Sequence, residues 1–234
     1  MALFIGGMHR CGTSALTGCL VKSGFTPGPD SDVIGGEKWG NSLGLFENSN
    51  IVSFDINVIS RLERGASSWG KVPYLGIEPL DVEVAQYIES IGDRGVFKDP
   101  RLSIGFHHLH RLTPAAREGK FICCIRSPES VARSLAKRDS MSVHDSFELW
   151  ELFISAALGL VRDGTDVPFM LVDFDVLIHD DHGMRDNLCE FVGTSLDFSH
   201  LTTSERHWEE KSTHSTYIDL LNSIQRGDPS AFRM

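Results

Sequence analysis

Short apolar runs alternate with longer amphipathic stretches along most of this chain. Residues 2–6, 95–98, 120–125 and 168–173 are largely apolar and too short for helices, so they are predicted as strands buried on both faces. Residues 13–23, 127–138, 143–162 and 182–192 carry apolar positions at helical spacing. In the third of these, Trp150, Phe153, Ile154, Ala157, Leu158 and Val161 share one face, which assigns Trp150 to the core. Ser142 to Asp145 gives that helix a start like a capping box. Two more helices are expected, one over Ile51 to Ile59 and one after Pro100. Alternation of this kind predicts a three-layer α/β fold with a central parallel sheet flanked by helices, and the glycine-bounded turn after the first strand makes it P-loop-like. No repeat or low-complexity linker divides residues 1–234, which read as one domain. The glycine-rich 24–44 stretch is the one long irregular segment, of the kind that shapes an acceptor site. The tail from 194 to 234 is read as a candidate lid; its first part is polar and holds His200, His207, Trp208 and His214.

Composition narrows the function. The chain is 41% hydrophobic over 234 residues, enough for one well-cored domain. Its formal net charge of −10 argues against nonspecific nucleic-acid binding, so the cations that matter are few and local. No run approaches the roughly 18 apolar residues of a membrane span, and the N-terminus lacks a basic leader, so a cytoplasmic protein is expected. The five cysteines form no C-x-x-C pair, which fits a reducing compartment and indicates neither zinc nor a redox dithiol. Cys123 and Cys124 read as small core residues, whereas Cys11 is a candidate for a lowered pKa. His107, His108 and His110 cluster with Arg111, but no acidic or Cys partner completes a ligand set. They are read as a helix surface, and no metal is expected.

The strongest chemical signal is Gly7-Met8-His9-Arg10-Cys11-Gly12-Thr13-Ser14, which joins the first strand to the first helix. Gly7 and Gly12 have the spacing of a phosphate-binding loop, whose backbone N–H groups close on an anion at the positive end of the helix. The lysine of an ATP- or GTP-binding loop is replaced by Thr13, and the cation sits earlier, at Arg10. Three further segments follow: Asn41-Ser42-Leu43-Gly44-Leu45-Phe46-Glu47, Val96-Phe97-Lys98-Asp99-Pro100-Arg101-Leu102, and the strand Phe121 to Ile125 leading into Arg126-Ser127-Pro128, with Ser134 eight positions after Arg126. Ser127 and Pro128 suit the N-cap and first position of a helix.

In this order the segments resemble the sulfotransferases that use 3′-phosphoadenosine 5′-phosphosulfate (PAPS), over roughly residues 3 to 175. Cys11 stands where that family usually has Ser. The resemblance implies that the loop (Gly7, Met8, His9, Arg10, Cys11, Gly12, Thr13, Ser14) holds the 5′-phosphosulfate and that Arg126 and Ser134 hold the 3′-phosphate. It implies Glu47 as general base, with Arg10 and Lys98 stabilising charge on the leaving phosphate oxygen. The product would be the desulfated nucleotide PAP. The acceptor would be a hydroxyl or amine of a carbohydrate, glycolipid or small molecule.

Each residue also has a plainer reading. Glu47 suits a helix N-terminus electrostatically, Lys98 fits a solvated strand end, and Arg126 fits a carboxylate partner. His9 either contacts the anion or shapes the turn. Asp99 is read as holding Lys98 or Arg101. Two other functions stay open. One is a P-loop kinase or NTPase, with Asp173 ending an apolar strand as a Mg²⁺ carboxylate. The other is a catalytically inactive nucleotide-binding domain.

Overall fold

The computed structural model describes residues 1–35, 44–65, 76–179, 183–201 and 212–226. Its main sheet has four parallel strands in the order β4-β1-β5-β6: β1 Leu3–Gly7, β4 Val96–Lys98, β5 Lys120–Ile125 and β6 Phe169–Asp173. Every residue of β1 is buried, as is all of β5 past Lys120. Burial without alternation means that both faces are covered, and this is why these strands read as continuous apolar runs. Gly7 pairs with Cys124 and Ile5 with Lys98, so the ends of three strands arrive at one edge of the sheet.

Helices connect and flank the strands: α1 Thr13–Lys22, α2 Ser49–Gly65, α3 Pro79–Ile91, α4 Leu102–Leu112, α5 Pro114–Arg117, α6 Pro128–Asp139, α7 Val143–Arg162, α8 Phe174–His179, α9 Met184–Val192 and α10 Ser215–Arg226. The fold is therefore α/β with a central parallel sheet flanked by helices. Serine caps operate where the sequence places them. Ser127 Oγ accepts from the N–H of Ser130 at 3.1 Å, and Ser142 Oγ accepts from the N–H of Asp145 at 3.1 Å. Trp150 is fully buried in α7, and its Nε1–H donates to the carbonyl of Arg126 at 3.0 Å, tying α7 to the end of β5.

Over its described residues, 24–35 and 44, the glycine-rich stretch is less irregular than expected, and 36–43 lie outside the described residues. It contains a 3₁₀ turn, Asp30–Asp32, and β2 Val33–Ile34, which pairs antiparallel with β3 Glu47–Asn48. Helices α3, α5, α8 and α10 are elements beyond the sequence reading. The histidine cluster is not a helix surface. His107 is buried against the carbonyl of Ala156 at 2.8 Å, and His108 is buried with Nε2 3.1 Å from Asp81. Both partners come from other helices, which turns polar positions inward.

Candidate functional site

The site is built around the turn that follows β1. Gly7 leaves the strand at φ 125° and Gly12 enters α1 at φ 84°, both in the left-handed half of backbone space where glycine is at ease. A Cβ at Gly7 would stand 2.2 Å from the carbonyl oxygen of Cys124, and one at Gly12 would stand 2.0 Å from the Phe174 ring. Neither position admits a side chain. Arg10 also has positive φ, at 72°, a conformation that costs a non-glycine residue about 1 kcal/mol or more. It is held there by its side chain, whose Nε donates to Ser134 Oγ at 2.7 Å across 124 residues of sequence. The N–H of Cys11 closes back on the carbonyl of Met8 at 3.2 Å. Met8 and Cys11 are fully buried, so they root the loop in the core and meet a ligand only through backbone.

Thr13 opens α1 and is buried, and its carbonyl accepts from Thr17 Oγ1 at 2.8 Å. Ser14 is half-buried and faces the sheet edge, where Lys98 Nζ donates to its Oγ at 3.2 Å. Lys98 is not a solvated strand end: its side chain is 2% exposed. Its main partner is Glu47, whose Oε1 lies 2.5 Å from Nζ and whose side chain is 13% exposed. Glu47 sits in β3, ahead of α2. The start of α2 is capped instead by Asn48, whose Oδ1 accepts from the N–H of Asn50 at 3.0 Å. Glu47, Lys98 and Ser14 thus form a continuous carboxylate–ammonium–hydroxyl chain beside the loop.

His9 is half-buried in the loop, with its ring 5.7 Å from that of Phe153. Burial, then the charges of Arg101 and Lys98, push its pKa down to about 3. It is a neutral imidazole at ordinary pH. The Cys11 thiol goes the other way from the sequence expectation. Burial, helped by Cys124, raises it well above the usual thiol range, and the favourable Arg126 charge does not offset this. An enclosed thiol has no water to solvate a thiolate, which makes it a poor nucleophile. Asp99 holds Arg101 rather than Lys98: its Oδ1 accepts from Arg101 Nε and from the Arg101 N–H, each at 2.9 Å.

Arg126 and Ser134 share α6 and its entry but are not joined. Arg126 Nε donates to Asp175 Oδ1 and Oδ2 at 3.1 and 3.2 Å, and its guanidinium stands 5.3 Å from the Phe174 ring centre. Ser134 is taken by Arg10. The sequence reading placed both groups on one phosphate; here each has a protein partner instead.

Asp173, the kinase-type carboxylate, is enclosed as well. Its Oδ1 accepts from the N–H groups of Asp175 and Val176 at 2.9 and 3.0 Å, and its Oδ2 accepts from Tyr217 of α10 at 2.7 Å. Burial still carries its pKa up to about 6. Tyr217 marks a site contact from the tail that the sequence did not signal. The rest of the tail expectation, at 202–211 and 227–234, lies outside the described residues, as do Asn41, Ser42 and Leu43. No group of three or more His, Cys, Asp or Glu side chains suited to a metal occurs among the described residues. No helix among them is long and apolar enough to cross a membrane.

No protein-family model and no curated protein matches the chain. Solved structures do. One is the sulfotransferase domain of the olefin synthase from Synechococcus PCC 7002, with a TM-score of 0.50 and 18% identity over 97% of this chain and 86% of that one. Another is the sulfotransferase domain of the curacin biosynthetic pathway, with a TM-score of 0.51 and 16% identity over 92% of this chain and 80% of that one. The parallel sheet, its flanking helices and the loop-bearing edge are thus those of a known architecture, and the chain has the fold of the sulfotransferase domains.

Proposed function

We propose that the chain is a sulfotransferase that moves a sulfuryl group from PAPS to a hydroxyl or amine of a carbohydrate, glycolipid or small-molecule acceptor. The observation that carries this reading is the Glu47–Lys98–Ser14 chain beside a glycine-bounded loop that lacks the NTPase lysine. In a P-loop kinase or NTPase the cation on the β- and γ-phosphates is a lysine of the loop itself, and this loop has Thr13 at that position. A transferase that must deprotonate its acceptor and neutralise its leaving group has use for both the Glu47 carboxylate and the Lys98 ammonium.

In this reading the 7–14 loop receives the 5′-phosphosulfate. Arg126 exchanges Asp175, and Ser134 exchanges Arg10, for the 3′-phosphate. The acceptor oxygen or nitrogen attacks sulfur, and the sulfur–oxygen bond to the 5′-phosphate breaks with its electron pair going to phosphate. The acceptor proton passes to Glu47. Protonation of Glu47 removes the negative charge that engages Lys98, so the ammonium turns to the new charge on the leaving oxygen. Arg10, released from Ser134, supplies a second cation for the same charge. His9, neutral, adds a polar contact without adding charge.

Calorimetric titration with PAP in the absence of metal, against ATP with Mg²⁺, tests the reading on the native chain and on Arg126→Ala. Tight PAP binding that is lost in Arg126→Ala supports it. A preference for Mg·ATP that is indifferent to Arg126→Ala would overturn it. PAPS turnover with an acceptor panel separates an active enzyme from an inactive nucleotide-binding domain.

A further inference from the structure

Among the described cations near the loop, Arg101 is unused by the scheme above. Arg101 follows Lys98 by three residues, at the foot of α4. The turn that carries it is stitched to the end of β1 on both sides. Before Arg101, the N–H of Asp99 donates to the carbonyl of Ile5 at 3.3 Å; after it, Ser103 Oγ accepts from the N–H of Gly7 at 2.7 Å. Arg101 is therefore pinned at the junction where the strand becomes the loop.

Its own geometry is fixed with equal economy. Asp99 Oδ1 accepts from both its backbone N–H and its Nε, so the root and one edge of the guanidinium are set. No hydrogen bond among the described residues uses its Nη1 and Nη2 groups. The side chain is 22% exposed, so these groups are only partly wet. His9, inside the loop, feels the Arg101 charge more strongly than that of Lys98. Lys98 is occupied by Glu47, whereas the far edge of Arg101 is a preformed planar fork.

We propose that Arg101 is a further anion-binding residue of the site, its Nη groups contacting non-bridging oxygens of a phosphosulfate held by the 7–14 loop, with Asp99 as the residue that positions it. The identity of the anion rests on the sulfotransferase reading; the presence of an anion fork does not. The fork contributes before any proton moves, because Asp99 engages only the Nε edge. Charge-assisted forked bonds of this kind are the strong class of polar contact.

The test titrates PAP and inorganic pyrophosphate separately into the native chain, Arg101→Gln and Arg101→Lys, with circular dichroism on each ligand-free protein. Arg101→Gln keeps a donor for Asp99 but removes the charge, and it should weaken both ligands by about tenfold or more. Arg101→Lys restores charge without the fork and should recover only part of that loss. Native-like affinity of Arg101→Gln for both ligands would overturn the proposal. Should Arg101→Gln fail to fold, Arg101→Lys decides: native-like affinity there overturns the fork, and a clear loss supports it. If the native chain binds pyrophosphate but not PAP, and Arg101→Gln weakens pyrophosphate, the PAPS reading fails and the anion fork stands. Binding of neither ligand by the native chain overturns both.

Discussion

Replacing Asp55 by asparagine should make the protein more stable, and increasingly so as the pH rises. Asp55 lies on α2, fully buried, and neither carboxylate oxygen has a hydrogen-bond partner in the described structure. Its Oδ1 fills the space beside Gly105, 1.9 Å from where a Cβ there would stand. Burial, then repulsion from Asp99, pushes the carboxyl well above the usual aspartate range; Glu47 adds to this and Arg101 opposes it. Helix α3 also packs on α2, but its Asp81 is taken up by Arg61 and His108. In the unfolded chain Asp55 ionises near ~3.9. The folded chain keeps the proton to a higher pH. Between those two values folding takes up a proton, and native stability falls by up to about 1.4 kcal/mol per pH unit. Below the window that loss is absent. An asparagine side chain has the shape of the acid and no proton to hold, so the variant lacks this slope. Urea denaturation of both proteins from about pH 4.5 to 7.5, followed by tryptophan fluorescence, reads the difference directly. The stability gap in favour of Asp55→Asn should widen steadily with pH. A gap that is flat in pH, or a variant that loses ground as the pH climbs, would refute the argument and mean that Asp55 is ionised and partnered.

Three further outcomes are expected. Glu47→Gln removes the counter-charge of Lys98, so calorimetry should show PAP bound as tightly as by the native chain or more tightly, while sulfuryl transfer falls by roughly 10²- to 10⁴-fold; weaker PAP binding would contradict the pairing. Gly12→Ala forces a Cβ into the Phe174 ring at φ 84°, and thermal denaturation should show a loss of about 1–3 kcal/mol together with weakened PAP binding. Alkylation by iodoacetamide near pH 8, mapped by peptide mass, should label half-buried Cys189 first and leave Cys11 unmodified, because enclosure raises the Cys11 thiol; early labelling of Cys11 would mean that the loop opens.

What the sequence made legible follows from range. The main strands are buried on both faces over β1, β4, β5 past Lys120 and the last three residues of β6, so each announces itself as a short apolar run without outside information. The loop is equally local: Gly7, Gly12 and the start of α1 are successive residues. Helix α3 leaves a fainter trace, because only Val84 and Ile88 among its apolar residues are buried while Val82 is exposed. Its clearest mark is the Glu78-Pro79 start with Asp81 completing a capping box. The partners of the polar residues were the hidden part. Arg126 meets Asp175 across 49 residues, Lys98 meets Glu47 across 51 and His108 meets Asp81 across 27. A residue type states what it can bond, but only the fold chooses the partner. Hence the histidines read as surface, and the two phosphate-binding candidates of α6 read as neighbours.

The sheet order has a consequence for where the molecule yields. Strand β1 lies between β4 and β5, so its amide protons are released to solvent only when the whole sheet comes apart. The loop that grows from it is rooted in that strand through Gly7, whose N–H is held by Ser103 Oγ. Glu47 belongs to a separate ladder of two residues per strand, which needs little more than a local fluctuation to open. Hydrogen exchange should therefore grade the site from one wall to the other, slow in β1 and fast in the ladder that carries Glu47. On the sulfotransferase reading proposed above, an incoming acceptor would part this soft wall while β1 stays formed, with the Lys98–Glu47 contact as the seam between them.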